Sequence, residues 1–181
     1  MNTYYKELKN ITYDIKALQD LYKDVEHLAI NYFEKHLESD SPYAKCACKK
    51  CAGKVGDHKH RFIRRLERFD NPEVNRLTDL LSEYTKLDIP NKPVIWIYEE
   101  GFVLPLHKDY ARDSSIIIPI LGDSHIDFFD DEDAVIEHHE YSKVHPTIVN
   151  AREHNHGVTN TSTRVFLNYN CYQPWSDIIN I

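Results

Sequence analysis

No stretch of this sequence is long and apolar enough to cross a bilayer. Its longest greasy run is Ile116 to Leu121, against the ~20 residues that a spanning helix requires. The opening segment, Met1 to Asp20, mixes Lys, Asp, Glu and Tyr without an apolar centre, so no secretory leader is expected. The chain therefore reads as soluble and cytoplasmic. Positive charge is also in short supply: 22 Lys and Arg stand against 29 Asp and Glu, a net charge of −7. Proteins that live on a phosphate backbone show the opposite balance, which argues against nucleic acid as a partner. Cysteine is scarce outside one cluster, since three of the four lie at Cys46, Cys48 and Cys51. Without a leader, that distribution speaks for metal ligands, redox chemistry or plain reduced thiols rather than a disulfide framework. Internal repeats and low-complexity tracts are missing as well.

What remains is a globular composition, 41% hydrophobic and 28% charged over 181 residues. That length fills one core and is too short for two ordinary domains. A single domain over residues 1–181 is expected, with a helical part at 1–90 carrying a Cys-containing loop and a β core at 91–175. In the first part, Ile15, Leu18, Leu21, Tyr22, Val25, Leu28, Ala29, Tyr32 and Phe33 recur at helical spacing. Asn71-Pro72-Glu73 opens a second helix, with Asn as cap, Pro at the first turn and an acid at the positive end. Ser39 to Asp57 reads as a loop, and His60 to Phe69 as a short helix. After Pro90 the pattern changes to short β-branched and aromatic runs broken by turn residues: 94–99, 102–107, 114–121, 126–129, 134–136, 147–150 and 164–172. Six to eight strands with no helix among them predict a sandwich or jelly roll, with the helices packed on one outer face.

His107-Lys108-Asp109 follows one of these strands. Residues two apart on an extended chain share a face, so both side chains can reach one metal ion. Three other pairs have the same spacing: His36/Glu38, His125/Asp127 and His138/Glu140. The first sits on a helix, where that spacing turns side chains roughly 200° apart. The other two lie too close to the remaining histidines to close a sandwich, and read as solvated strand faces. His107/Asp109 has 46 residues of strand-forming chain before His156, enough to bring a third ligand back. His154, two residues earlier on the same face, competes for that place. Two imidazoles and one carboxylate on one side of Fe(II) leave three positions open. Arg164 begins the last strand and suits the distal end of a dicarboxylate; a surface Arg on an edge strand is the alternative. Counting by twos from Arg164 places Phe166 and Asn168 on the interior.

Gly101 to Asp109, then Arg112, then Ser114 to Pro119, resembles the first metal strand of the 2-oxoglutarate/Fe(II) oxygenase superfamily. Pro146 to Asn150, then His156-Gly157-Val158, Asn160 and Arg164, resembles its second half. The resemblance spans about residues 94 to 173 and is nearest to compact bacterial and phage-type members and to the aspartyl/asparaginyl (prolyl) hydroxylase branch. It implies a double-stranded β-helix, with iron on His107, Asp109 and His156; the Gly-Val after His156 favours it over His154. It also implies 2-oxoglutarate on the iron, with its far carboxylate on Arg164. Tyr98, on the preceding strand, could donate its hydroxyl to that cosubstrate, and Asn168 would face it; the plainer reading is that Tyr98 and Phe166 fill the core. The expected reaction consumes O₂ and 2-oxoglutarate and hydroxylates an amino-acid or peptidyl side chain, forming succinate and CO₂. Small metabolites and modified nucleobases are the other substrate classes.

Cys46-x-Cys48-x-x-Cys51, followed by His58, offers three thiolates and an imidazole to a tetrahedral structural Zn²⁺; free thiols and redox chemistry are the alternatives. The basic residues from Lys45 to Arg68 and the acids from Asp127 to Asp133 read as solvated surface. Two other classes of function stay open. One is a non-catalytic ligand- or metal-binding β-sandwich, and the other a zinc-stabilised interaction module. A cupin-type His-x-His followed closely by Glu is absent, because no acid follows His154-x-His156 until Asp177.

Overall fold

The computed structural model describes residues 4–31, 63–85, 92–100, 103–109, 112–122, 124–159 and 161–178. Helix α1 (Ile15–Val25) is capped by Asp14, whose side chain accepts from the Ala17 amide at 3.0 Å. It buries Leu18, Leu21 and Tyr22. The helical periodicity continues past Val25, but the helix does not: a 3₁₀ turn (Glu26–Leu28) and strand β2 (Ile30–Asn31) follow. Helix α2 (Pro72–Thr85) starts where Asn71-Pro72-Glu73 predicts. The Asn71 side chain accepts from the amides of Glu73 and Val74, at 3.0 and 3.3 Å. Helix α3 (Trp175–Ile178) is a single turn near the C-terminus. Among the described residues, no helix is long and apolar enough to cross a membrane.

Among the described residues, eight further strands run from residue 94 onward: β4 (Val94–Tyr98), β5 (Val103–His107), β6 (Ser114–Leu121), β7 (His125–Phe129), β8 (Val135–Glu140), β9 (Thr147–Val149), β10 (Asn155–Thr159) and β11 (Arg164–Cys171). Their pairing decides the fold. β4 pairs with β11, β5 with β10, β6 with β9 and β7 with β8, all antiparallel. This is one long hairpin, paired from its ends to its tip. Winding it into two layers gives a large sheet containing β9-β6-β11-β4 and a small sheet ordered β5-β10-β7-β8. The fold is a double-stranded β-helix.

The N-terminal part is less purely helical than its periodicity predicts. β1 (Tyr5–Glu7) adds to the large sheet beside β9, and β3 (Ile63–Leu66) with β2 adds beside β4. A short helix was expected across Ile63–Leu66. Pairing of Ile63 with Tyr98 and Leu66 with Ile95 draws the segment into the sheet instead, a tertiary override of weak local preference. The predicted loop at 39–57 lies outside the described residues.

Strand alternation divides the core in two. On β11, Val165, Leu167 and Tyr169 join Leu18, Leu77 and Leu81 under the helices, all fully or almost fully buried. Phe166 faces the other way, between the sheets, with Ile117, Ile126, Phe128, Tyr141 and Val149.

Between the exposed His138 and Glu140, His139 points inward. It is 5% exposed, stacks on Tyr5 at 3.6 Å and lies 3.4 Å from the Thr147 hydroxyl. Burial holds its pKa below the ordinary histidine value, although Glu7, Glu137 and Glu140 pull the other way. The unfolded chain takes up this proton as pH falls through about 6.5, whereas the folded chain resists it. Stability should therefore be lost as pH drops from 7 to 5. In urea denaturation followed across that window, His139→Phe should make the loss shallower.

Candidate metal centre

His107 ends β5, and His156 lies directly opposite it on β10. Neighbouring residues on paired strands present their side chains to the same face, and the two rings stand 4.4 Å apart. Asp109 follows two residues later, its amide donating to the Ala151 carbonyl at 2.8 Å. Its Oδ1 is 3.6 Å from His107 Nε2, and its Oδ2 is 4.0 Å from His156 Nε2. One ligand atom from each of the three residues falls within 4.8 Å of the others, and they are the one such group among the described residues.

The electrostatics favour a metal over a proton. His156 is 4% exposed, and burial, with His107 beside it, pushes its pKa down to about 3. It is a neutral imidazole at physiological pH. Its Nδ1 lies 3.2 Å from the His154 carbonyl; a proton donated there leaves the lone pair on Nε2, the nitrogen 4.0 Å from Asp109. Burial, the largest influence, would raise the Asp109 carboxyl, but Arg112, His156 and His107 together outweigh it and hold the group below its usual range. Two imidazole nitrogens and one carboxylate on one face suit a divalent transition metal that keeps other positions open.

The glycine after His156 has a steric reason. β10 bulges between His156 and Val158, and a Cβ on Gly157 would stand 2.9 Å from the Leu104 carbonyl of β5. Gly157→Ala should force β5 away from β10 and separate His107 from His156. Calorimetric titration with Mn(II) should then show affinity about tenfold weaker, the scale of a disturbed outer shell, in a protein whose far-UV dichroism is unchanged.

Arg164 is 4% exposed at the start of β11. It donates to the His125 carbonyl at 2.8 Å and lies over the rings of Phe166 and Tyr141, at 4.8 and 5.3 Å. Among the described residues no carboxylate pairs with it. Tyr98 is its cross-strand neighbour and packs edge-on to Phe166 at 5.0 Å. Burial pushes the Tyr98 hydroxyl up to about 12, with Arg164 pulling against it, so Tyr98 is a neutral donor. Arg164 and the metal ligands thus face one interior. Asn168 is buried on the same face, and its amide donates to Asn170 Oδ1 at 2.9 Å.

His154 turns its ring to Tyr4, at 4.5 Å, and gives the site only its carbonyl. His125, Asp127, His138 and Glu140 gather on the outer face of the small sheet, with His138 2.6 Å from Asp127 and 3.1 Å from Glu140. His36/Glu38 and the proposed zinc ligands Cys46, Cys48, Cys51 and His58 lie outside the described residues. Three neighbours of these residues carry little signal in the sequence. Asn170 was reachable by carrying the β11 alternation one step further, and Arg112 was noted only as part of a motif. Tyr141 follows the end of β8, where no local signal pointed.

No family model and no curated protein matches the chain. Its shape is similar to a Pseudomonas putida prolyl-4-hydroxylase (TM-score 0.49, 8% identity, 93% of this chain and 92% of that one). A viral collagen prolyl hydroxylase from Paramecium bursaria Chlorella virus-1, solved as a 2OG complex, gives 0.48 and 13%, over 94% and 96% of the two chains. An RmlC-like cupin from Desulfovibrio desulfuricans gives 0.30 and 24%, over 44% of this chain and 70% of that one.

Proposed function

We propose that the chain is an Fe(II)- and 2-oxoglutarate-dependent oxygenase that hydroxylates an amino-acid or peptidyl side chain, using O₂ and forming succinate and CO₂. One observation supports this reading above the rest. A His-Asp-His donor set and a buried arginine that meets no carboxylate among the described residues share one interior. A buried guanidinium without an anion is costly, and a dicarboxylate bound at the metal would meet it. The substrate class follows from the motif resemblance to aspartyl/asparaginyl and prolyl hydroxylases.

In this account His107, Asp109 and His156 would hold the iron, a donor set suited to an ion that must also take cosubstrate and O₂. Bound there, iron supplies the oxidative chemistry that couples decarboxylation of 2-oxoglutarate to hydroxylation. Arg164 receives the distal carboxylate through charge-assisted hydrogen bonds, and Tyr98 adds a neutral hydroxyl donor beside it. Ile117, Phe128 and Phe166 keep the space between the sheets apolar and exclude water.

Anaerobically purified protein given Fe(II), 2-oxoglutarate and O₂ should form succinate without a prime substrate, and His107→Ala should form none. If no succinate forms and 2-oxoglutarate fails to bind in the presence of Fe(II), the reading fails. A non-catalytic β-sandwich then takes its place.

A further inference from the structure

We infer that Arg112 is a positioning residue that keeps Asp109 a one-oxygen ligand, and that Asn170 aims it; this rests on the metal reading above. An arginine commonly meets a carboxylate with one N–H on each oxygen. Here both contacts end on the same atom: Nε and Nη2 of Arg112 reach Asp109 Oδ2 at 2.8 and 2.7 Å. A carboxylate oxygen has about two lone-pair sites, so Oδ2 is fully engaged. Oδ1, the oxygen nearer His107, is left for the metal.

The geometry is held from behind. Nη1 of Arg112 donates to Asn170 Oδ1 at 2.7 Å, and the same oxygen accepts from Asn168. Asn168 and Asn170 lie on the inner face of β11, so the last strand carries the guanidinium's anchor. Backbone bonds also fix Asp109 and Asp113. Asp109 donates to Ala151 at 2.8 Å and Asp113 to Cys171 at 3.0 Å, through backbone bonds. Arg112 is thus held against Oδ2 from the far side by its bond to Asn170.

Two consequences follow for the metal. An octahedral ion held by two imidazoles and a single oxygen keeps three positions open, whereas a two-oxygen aspartate would close one of them. In addition, Arg112 cancels the charge of Asp109, so a divalent ion presents its full charge to a dianionic ligand. Arg164 and Arg112 would then divide the work on the inner face, the first receiving the cosubstrate's far end and the second keeping room for its near end.

Water-proton relaxation of the Mn(II)-loaded protein tests this without turnover or 2-oxoglutarate, because it counts exchangeable waters on the ion. Arg112→Met should lower the relaxivity per bound Mn(II) by about a third, the loss of one of three open positions. Asn170→Ala, which leaves the guanidinium in place but unanchored, should lower it by a smaller amount. It also serves as the second variant if Arg112→Met folds poorly. Arg112→Lys keeps the charge but not the fork, and should not restore the wild-type value. A purely structural ion pair would change thermal stability and leave relaxivity alone. Relaxivity unchanged or raised in both Arg112→Met and Asn170→Ala overturns the inference while leaving the metal site intact. Wild-type protein that binds no Mn(II) overturns the metal reading and this inference together.

Discussion

Arg164→Met should make the metal-free protein more stable while weakening 2-oxoglutarate binding about a hundredfold, since truncating one side of a desolvated charge pair costs ~2–5 kcal/mol. The two effects have one cause. Without cosubstrate the guanidinium is buried over Phe166 and Tyr141, with a backbone carbonyl for company and no carboxylate among the described residues. A buried guanidinium that meets no anion leaves its desolvation cost unrecovered, and an apolar side chain of similar volume removes that cost. Methionine fits that description and would rest on the same two rings. Thermal unfolding of the apo protein should show the gain, and titration of the Mn(II)-loaded protein with 2-oxoglutarate should show the loss. Mn(II) affinity itself should change little, because Arg164 touches none of the three ligands. A destabilised variant with normal 2-oxoglutarate affinity would mean that Arg164 is a structural residue.

The second large effect is expected at Asp109. Asp109→Ala should abolish measurable Mn(II) binding and reduce succinate formation to background. Among the three ligands it alone carries negative charge, and it also holds Arg112. Its removal leaves two imidazoles 4.4 Å apart beside an uncompensated guanidinium, which repels a divalent cation. Apo stability should fall as well, modestly, because Arg112 keeps Asn170 and is partly solvated. Asp109→Asn separates these losses: the amide retains a bond to Arg112 through its oxygen but not the charge. It should recover stability without recovering metal affinity. Calorimetry on the two variants, with Mn(II) and by thermal scan, reads both quantities.

Much of the β half could be read from the sequence because its signals are local. Ser114 to Leu121 is a β run ended by Gly122-Asp123, and the observed strand has the same limits. The alternation from Arg164 places Arg164, Phe166 and Asn168 together on the interior, as counting by twos implies. The grouping of His107, Asp109 and His156 was legible in part: spacing puts the first two on one face and the 46 residues that follow can bring a third ligand back, while the choice of His156 over His154 rests on the resemblance. Features that depend on partners far along the chain could not be read this way. Ile63-Arg64-Arg65-Leu66 has apolar residues three apart, which mimics a helix turn, and becomes β3 only because β4 offers an edge. Tyr5-Lys6-Glu7 is too short to declare itself, and is a strand only against β9. His139 was hidden between two solvated neighbours. Arg112 needed the side-chain geometry, because nothing in a three-residue offset from Asp109 says which carboxylate oxygen it will hold.

The claim that metal ligands and arginine form one cosubstrate site is tested most directly by anaerobic calorimetric titration with 2-oxoglutarate, with and without Fe(II). The account predicts binding that requires the metal, is lost in His107→Ala, and is weakened in Arg164→Met. Binding of equal strength with and without Fe(II), or no binding in either case, would contradict it.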